Sequence, residues 1–309
     1  MNGYLFYIEN LLQIVTKKQF KGWGRRRTGR FASWCQKTFG GTVTLLEDGF
    51  IRSIGLGTEG ASSFSWVEDD AGIYYDATKP SRLENMLNRY DFASDTKLMD
   101  DASRAIAYML EHHISKYNNT LFAGDAFCQK YRLKGQKNVL VVAQTAGDAS
   151  LVYGMSDAFD TEEMVDAAID ENPDAKIYLK IHPDVLYGKK RSDIDIEKIK
   201  EKCVIIEENV NPISLLKHFD KVYTKTSGMG FEALLCGCEC VCFGMPFYAG
   251  WGVTTDKSVC QRRKAKRSVE EIFAAAYIVY THYYNPYTRQ PSDIFDTMQT
   301  IVALREEKK

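Results

Sequence analysis

The sequence predicts an α/β protein, and the second half of the chain supplies the main evidence. Short apolar runs alternate there with helical patterns at close spacing, which is typical of parallel strands joined by helical crossovers. The predicted strands are 138–143, 176–181, 203–206, 221–224 and 239–243, and the predicted helices are 161–171, 195–201, 212–219 and 228–235. This half is therefore Rossmann-like, but it contains no G-x-G-x-x-G sequence, so we discount a dinucleotide-dependent dehydrogenase.

The first half is less regular. Residues 42–46 form a β-branched, apolar run that predicts a strand, and a mixed, polar segment at 118–136 predicts a domain boundary. Further helices are predicted at 28–37, 81–90, 95–117, 269–283 and 292–306. We expect an N-terminal Rossmann-like domain over 1–130, a C-terminal one over 131–285, and a terminal helix over 286–309 that packs back toward the first domain.

Charge and composition exclude several classes of protein. The 40 basic and 41 acidic residues leave no global field that favours nucleic acid, so any anion must be recognised locally. No run is long enough to span a membrane, and segment 1–14 lacks the basic leader and cleavage site of a signal peptide. Four of the eight cysteines alternate from Cys236 to Cys242. Alternation along a strand lines thiols up on one face, which favours buried side chains over a tetrahedral zinc site.

Lys180 and His182 lie at the carboxyl end of the predicted strand 176–181. In an open α/β sheet, ligands bind outside the carboxyl ends of the strands, so two cationic side chains there suit an anionic ligand. Pro183 stops the strand and restricts the exit of the chain. The alternative is an ordinary strand end with a surface lysine and a partly buried histidine.

Other strand ends are expected on the same edge of the sheet. Gln144 follows the first strand, and Thr226 and Ser227 precede a helix that begins at Gly228. Hydroxyls and free N–H groups at a helix start suit a phosphate, and Glu232 one turn later suits ribose hydroxyls. The alternative is a hydroxyl pair that caps only the helix. Together these side chains predict a nucleotide site with a phosphate at its centre.

A second cluster follows the strand 42–46. Glu47 and Asp48 are paired acids at a strand end, Gly49 lets the backbone turn, and Arg52 can balance one of the charges. This pair of acids, with an arginine beside it, is suited to acid/base catalysis.

Two basic segments, 22–27 and 262–267, remain open to more than one interpretation. Both suit solvated surface. The first also suits contact with phosphate or carboxylate, and the second suits contact with anionic lipid.

Taken in order, these motifs resemble the capsule polysaccharide synthesis proteins of the KpsC type, which are bacterial β-Kdo glycosyltransferases that use CMP-Kdo. The resemblance covers nearly the whole chain and rests on Gly22–Arg25, Glu47–Gly57, Gly72–Thr78, Gln144, Asp148–Ser150, His182–Asp184, Gly230–Leu235, Pro246–Gly252, Asp256 and Arg262–Arg263. The Glu-Asp-Gly and His-Pro pairs are also similar to signatures of the GT-B sialyltransferases. The resemblance implies a GT-B-like fold of two Rossmann-like domains with a cleft between them.

The resemblance also implies roles for individual residues. His182 would bind the CMP phosphate and assist its departure, while Lys180 would neutralise phosphate or the sugar carboxylate. The residues expected to bind the donor are Lys180, His182, Thr226, Ser227, Gly228, Glu232 and Gln144. Those expected on the sugar and acceptor side are Asp48, Gly49, Arg52, Ser53, Tyr248 and Trp251.

CMP-Kdo carries the β anomer, so a β-linked product means retention. Retention by two displacements requires a carboxylate nucleophile and an acid/base, and the resemblance assigns Asp148 and Glu47 to these roles. A front-face route is the alternative. The expected partners are CMP-Kdo and a lipid-linked or Kdo-terminated glycan acceptor, with no metal, cofactor or nucleic acid.

The expected location is the cytoplasm, with peripheral contact with the inner membrane and with other capsule-assembly proteins. Two other functions stay open at this point. One is a non-catalytic partner in capsule assembly or export that has the same fold, and the other is a GT-B transferase that uses a different nucleotide sugar.

Overall fold

Two β-sheets organise the chain in the computed structural model, which describes residues 3–56, 60–145, 147–181, 194 and 196–307. The first sheet contains, in spatial order, β1 (Gln19–Trp23), β2 (Thr42–Asp48), β3 (Ser65–Asp69), β10 (Thr281–Asn285) and β11 (Gln290–Ser292). β1 and β2 are parallel, whereas the other neighbouring pairs are antiparallel. The sheet is therefore mixed, and the end of the chain returns to complete it.

The second sheet is parallel throughout. Its spatial order is β6 (Val204–Ile206), β5 (Lys176–Lys180), β4 (Asn138–Val142), β7 (Lys221–Thr224), β8 (Glu239–Cys242) and β9 (Thr255–Asp256). The chain runs outward from β4 to β6, then returns to β7 and runs outward in the other direction. β4 and β7 thus flank the point where the strand order reverses, which is where open α/β sheets bind ligands.

Helices cover both sheets. Their bounds are α1 (Gly3–Ile14), α2 (Arg27–Phe39), α3 (Arg82–Arg89), α4 (Thr96–Glu111), α5 (Asp125–Tyr131), α6 (Ala149–Tyr153), α7 (Thr161–Glu171), α8 (Ile196–Lys200), α9 (Pro212–Leu216), α10 (Gly228–Leu235), α11 (Val269–Phe273) and α12 (Ile294–Glu306). Side chains cap several of these helices. The Ser81 hydroxyl accepts from the Glu84 N–H at the start of α3, and Asp160 and Ser268 form capping boxes at α7 and α11.

The two halves share one hydrophobic core. The Phe50 ring from the first half lies 4.8 Å from the ring of Phe247 and 4.8 Å from that of Tyr277, measured between ring centroids. Phe231 of α10 joins the same cluster, with its ring 5.7 Å from that of Tyr277. Aromatic packing of this kind fixes one half against the other.

The predicted α/β fold class is confirmed, whereas the helix predicted at 269–283 is wrong at its end. After α11 the backbone forms a π-helical segment, Ala274–Val279, and residues 281–285 then form β10. Thr281, Tyr283 and Asn285 are buried on one face of this strand. β10 belongs to the first sheet, although the predicted second domain extends to residue 285. The predicted helix 95–117 ends earlier, at Glu111.

The basic run at 262–267 contains two kinds of side chain: Lys264 and Lys266 are exposed, as the solvated-surface interpretation expects, whereas its three arginines are bound within the chain. Arg262 and Arg263 both form ion pairs with Glu84, at 2.7 and 3.2 Å. The Arg263 guanidinium is buried and also donates to the Pro246 and Ala249 carbonyls. Arg267 donates to the Leu87 carbonyl at 2.6 Å. These arginines therefore join the second half of the chain to α3, and the arginine pattern alone did not reveal partners about 180 residues away.

The strand pattern predicted for the alternating cysteines holds for two of the four, since Cys236 is the C-cap of α10 and Cys238 lies just before β8. The Cys240 and Cys242 sulfurs lie 3.8 Å apart on one face of β8, and both side chains are buried in the shared core. In the part of the chain that the structure describes, no three His, Cys, Asp or Glu side chains cluster as metal ligands would. Over the same residues, no helix is both long enough and apolar enough to cross a bilayer.

Candidate active site

A polar cluster lies at the carboxyl ends of β4 and β7, where the strand order reverses. The Gln144 side-chain amide bridges the two strand ends, because its oxygen accepts from the Thr226 N–H at 2.7 Å and its nitrogen donates to the Thr226 hydroxyl at 3.1 Å. The Ser150 hydroxyl lies 3.0 Å from that of Thr226. The structure thus brings together two side chains that the sequence placed on this edge, and it adds Ser150.

The start of α10 lies beside this cluster. Ser227 is the N-cap residue, and its hydroxyl accepts from the Met229 N–H at 3.2 Å. Gly228 is exposed, and among the described residues no atom outside its chain neighbours and its own helix lies within 4 Å of where a Cβ on it would stand. An exposed helix start presents N–H groups and the positive end of the helix dipole, which suits a phosphate. Ser227 therefore caps the helix. A phosphate contact of its hydroxyl, as predicted from the sequence, would be a second role.

Lys180 ends β5 at the same edge. Its ammonium is buried and donates to the Ile181 carbonyl at 3.0 Å. Burial lowers the pKa of this ammonium to about 8, and the nearby Glu208 carboxylate partly offsets the effect. His182, Pro183 and Asp184 lie outside the described residues.

Asp148 is the N-cap residue of α6, and its carboxylate accepts from the Ser150 N–H at 2.9 Å. The side chain is otherwise exposed. α6 extends across the cleft, since the Tyr153 carbonyl at its far end accepts from the Ala77 N–H of the first half at 2.9 Å. The Tyr153 ring also lies 5.6 Å from the Arg25 guanidinium. Asp148 thus belongs to a helix about 8 Å long whose other end touches the first domain.

Glu47 ends β2 on the other side of the cleft, and its carboxylate is buried. One oxygen accepts from the Trp23 indole N–H at 2.9 Å and from the Asp48 N–H at 3.1 Å. Burial raises the pKa of Glu47, while the Asp48 N–H and the positive charges of Lys116 and Arg26 oppose that shift. A carboxyl group with a raised pKa and fixed donors is suited to acid/base chemistry.

Arg52 forms an ion pair with Asp48 at 2.9 Å. Of the two acids that Arg52 was expected to balance, the partner is therefore Asp48. Gly49 is required by packing, because a Cβ there would lie 2.2 Å from the Ser65 hydroxyl oxygen. Ser53 is fully buried, and its hydroxyl donates to the Gly55 carbonyl at 2.5 Å. These contacts hold the backbone after Glu47 in one conformation and so fix the position of Glu47.

Gly24, Tyr75 and Trp23 complete the surroundings of Glu47. A Cβ on Gly24 would stand 2.4 Å from the Tyr75 hydroxyl oxygen and 2.8 Å from a Glu47 carboxylate oxygen, and its φ is +41°. Only glycine tolerates both conditions. The Arg25 N–H donates to the Tyr75 hydroxyl at 2.8 Å, and the Arg25 side chain donates to Asp76 at 2.6 Å. The basic turn was expected to lie in solvent or to contact a phosphate or a carboxylate. Arg25 contacts a carboxylate, that of Asp76 in the same chain.

Lys116 was not predicted, and no local motif marks it. Its side chain lies near Asp48, Glu47 and Tyr74. Although burial disfavours the ammonium, these neighbours raise its pKa above the ordinary value. The adjacent Ser115 hydroxyl donates to Glu232 at 2.5 Å, and burial raises the pKa of Glu232 to about 7. Glu232 thus joins α10 to the first half, and its contact with ribose stays a prediction.

Tyr248 and Trp251 are buried in the shared core. The Tyr248 hydroxyl donates to the Ser227 carbonyl at 2.5 Å, and the Trp251 indole donates to the Phe247 carbonyl at 2.8 Å. Both rings therefore have a packing role in holding the loop 246–252. Their contact with a sugar stays a prediction and would require that loop to open.

The fold and site together define a two-domain, Rossmann-like protein with a polar, phosphate-suited cluster at the switch point of a parallel sheet and a buried carboxylate, Glu47, on the other sheet. The family model described as "Capsule polysaccharide biosynthesis protein" matches residues 21–285. This chain therefore belongs to that family.

Relatives of known name support this assignment. The chain is 42% identical over 299 residues to the capsule polysaccharide modification protein LipA of Neisseria meningitidis, a match that covers 93% of this chain and 41% of LipA. It is 37% identical over 238 residues to the lipopolysaccharide-processing protein LpsZ of Rhizobium meliloti, covering 77% of this chain and 53% of LpsZ. The chain thus spans less than two thirds of the length of these two relatives.

Two solved structures from Thermosulfurimonas dismutans have the same fold. One is the KpsC β-Kdo 2,4 transferase, with a TM-score of 0.83 and 43% identity over 92% of this chain and 86% of the other. The second is the KpsC β-Kdo 2,7 transferase, with a TM-score of 0.71 and 31% identity over 96% of this chain and 89% of the other.

Proposed function

We propose that this chain is a retaining glycosyltransferase that moves Kdo from CMP-Kdo to a Kdo-terminated or lipid-linked acceptor in capsule polysaccharide synthesis. The observation that carries the proposal is the likeness, over 92% of the chain, to a solved β-Kdo transferase at 43% identity. The polar cluster at the switch point and the buried Glu47 carboxylate supply groups that such a reaction needs.

The donor would occupy the second domain. Its phosphate would accept hydrogen bonds from the Gly228 N–H at the start of α10 and from the hydroxyls of Thr226 and Ser150. The Lys180 ammonium would neutralise one negative charge. His182, which follows Ile181 in the sequence, would face the phosphate and assist the departure of CMP. The 2.7 Å bond between Gln144 and Thr226 supports this arrangement, because it holds the two strand ends at a fixed distance.

Bond making would proceed in two displacements. The Asp148 carboxylate would attack the anomeric carbon of Kdo as the bond to the CMP phosphate breaks, which gives a glycosyl-enzyme and free CMP. The acceptor hydroxyl would then attack the same carbon, lose its proton to Glu47 and release Asp148. Two inversions give net retention. The exposure of Asp148 and the burial of Glu47 support this division of roles.

The test is CMP release from CMP-Kdo in the presence of a synthetic Kdo-terminated glycolipid, followed by linkage analysis of the product. We expect acceptor-dependent CMP release and a β-linked product. Since the 2,4 transferase is the more similar of the two solved structures, a 2,4 linkage is the expected result. A chain that binds CMP but releases none from CMP-Kdo would instead support the non-catalytic assembly role. Stronger thermal stabilisation by UDP than by CMP would support a different donor.

A further inference from the structure

Helix α1 exposes its more apolar face to solvent. The exposed apolar side chains on α1, and on the residue that follows it, are Tyr4, Leu5, Ile8, Leu11, Leu12 and Val15. At about 100° per residue, these positions share one face of the helix. The buried positions, Phe6 and Asn10, lie on the opposite face. An amphipathic helix packed on a protein core shows the reverse arrangement, so this face calls for a partner.

The exposed side chains are large and form a continuous surface. Val15 is 82% exposed, Tyr4 is 78% exposed and Leu12 is 61% exposed. The Tyr7 ring of α1 lies 5.0 Å from that of Phe31 on α2, which in turn stacks at 5.8 Å on Trp34. Trp34 is itself 52% exposed, so the apolar surface extends from α1 to α2.

α1 is held firmly in this position. The buried Asn10 side chain donates to the Lys21 carbonyl at 2.8 Å and accepts from the Lys21 N–H at 2.9 Å. These two bonds fix α1 along β1, the edge strand of the first sheet. The exposed face is therefore a fixed part of the folded surface.

Charge identifies the kind of partner. Although the whole chain has 40 basic and 41 acidic residues, its first 46 residues contain eight lysines and arginines and one acid, Glu9. Lys17, which follows α1, and Arg27 and Arg30, in the first turn of α2, are exposed. A short helix with Leu and aromatic side chains on one face and cations around it lies in the interface of an anionic bilayer.

We propose that α1, with Trp34 and these exposed cations, is a docking face for an anionic lipid surface. The helix has 12 residues and is about 18 Å long, so it would lie in the interface rather than span the bilayer. β2, which contains Glu47, lies next to β1, so the proposed docking face belongs to the same half of the molecule as Glu47. This proposal goes beyond the proposed function and does not depend on it.

The experiment is co-sedimentation of the whole chain with vesicles of phosphatidylcholine, with or without phosphatidylglycerol. We expect binding to the anionic vesicles only, and its loss at high salt. Leu12→Asp should reduce this binding at least about tenfold, because it places a charge in the apolar face. The matched control is Val259→Asp, at a residue that is 76% exposed on the loop after β9, and it should bind as the wild type does.

A second pair of variants tests the charge. Lys17→Glu with Arg30→Glu should weaken anionic-vesicle binding by more than about twentyfold, given about fivefold for each cation lost. Lys264→Glu with Lys266→Glu changes the net charge equally at exposed lysines elsewhere and should leave binding unchanged. Circular dichroism and thermal melting would show that each variant is folded.

Several outcomes would overturn the proposal. These are no binding of the wild type, equal binding to neutral vesicles, and full binding by Leu12→Asp. A concentration-dependent dimer that Leu12→Asp dissociates, without vesicle binding, would show that a second copy covers the face instead. Because the assay needs neither donor nor acceptor, its result is independent of whether the chain transfers Kdo.

Discussion

Two carboxylates of the cleft, Glu47 and Asp148, have opposite environments. Glu47 ends a strand of the mixed sheet, is buried, and has a pKa that burial raises. Asp148 caps a short helix after the parallel sheet, is exposed, and accepts one backbone hydrogen bond. When the environments of two acids differ in this way, one fold can assign them different chemistry. The buried acid suits proton transfer, and the exposed one suits attack on a bound sugar.

Each carboxylate also depends on its own supporting contacts. The Glu47 position is fixed by Trp23 and by the close approach of Gly24, whereas Asp148 is positioned by the start of α6. The direct contacts of the two carboxylates come from different residues, although Tyr153 of α6 lies 6.4 Å from the ring of Tyr75. Variants of Asp148 should therefore affect mainly the formation of the glycosyl-enzyme, and variants of Glu47 mainly the transfer to the acceptor.

Asp148→Asn should have the largest effect. If Asp148 is the nucleophile, the amide cannot form the glycosyl-enzyme, so transfer should fall by at least about 10³-fold. Asparagine is an equally good helix cap, so α6 and CMP affinity should be retained. Initial rates of CMP release and a CMP titration measure the two properties. The control is Asp160→Asn, the same change at the cap of α7. Near-normal turnover by Asp148→Asn would remove the nucleophile assignment.

Glu47→Gln should reduce transfer by about 10²- to 10⁴-fold, the range typical of a lost acid/base group. Since Asp148 is intact in this variant, the first displacement can proceed, and a glycosylated enzyme should accumulate. Intact-mass spectrometry after mixing with CMP-Kdo detects the added sugar. Glu68→Gln on the neighbouring strand is the control. A variant that turns over at the wild-type rate would contradict the acid/base role of Glu47.

The parallel sheet was predictable because its strands follow a local rule. All five residues of β4 are buried, and such a strand appears in the sequence as a continuous apolar run. The strand ends at Gln144, Lys180 and Thr226 could be assigned for the same reason. Since the strands are parallel, their carboxyl ends had to share one edge.

The surroundings of Glu47 were not predictable in this way. Trp23 contacts Glu47 across 24 residues, and Arg25 contacts Tyr75 across 50. No periodicity in the sequence records such contacts. β10 was missed for a different reason. Its alternation of buried and exposed residues was included in a longer helical prediction, because α11 and the π-helical segment precede it directly.

Lys180→Met should lower the affinity for CMP about tenfold, which is a smaller effect than those of Asp148→Asn and Glu47→Gln. Lys180 lies on the parallel sheet, as the strand before Asp148 does. In the proposed site the ammonium form of Lys180 binds phosphate, and without ligand the Lys180 side chain has a pKa of about 8. Wild-type affinity should therefore be full below pH 8 and fall as the pH rises above it, whereas the variant should show no such fall. Calorimetric titration with CMP across this range measures both. Lys176→Met at the opposite end of β5 is the control. An unchanged pH dependence in Lys180→Met would exclude a phosphate contact.

Trp23→Phe should have the smallest effect on rate and the most specific effect on pH dependence. The indole N–H stabilises the Glu47 carboxylate, so its removal should raise the pKa of Glu47 further. If Glu47 accepts the acceptor proton, as proposed, it must first be deprotonated, so the acidic limb of the rate profile should move up by about one pH unit. The rate at the optimum should fall only a few-fold. Trp66→Phe removes a comparable indole contact, with Glu68 at 3.2 Å, and should leave the limb in place. If Trp23→Phe lowers the rate equally at every pH, the indole only packs against Glu47, and the buried carboxylate is not the group that titrates in catalysis.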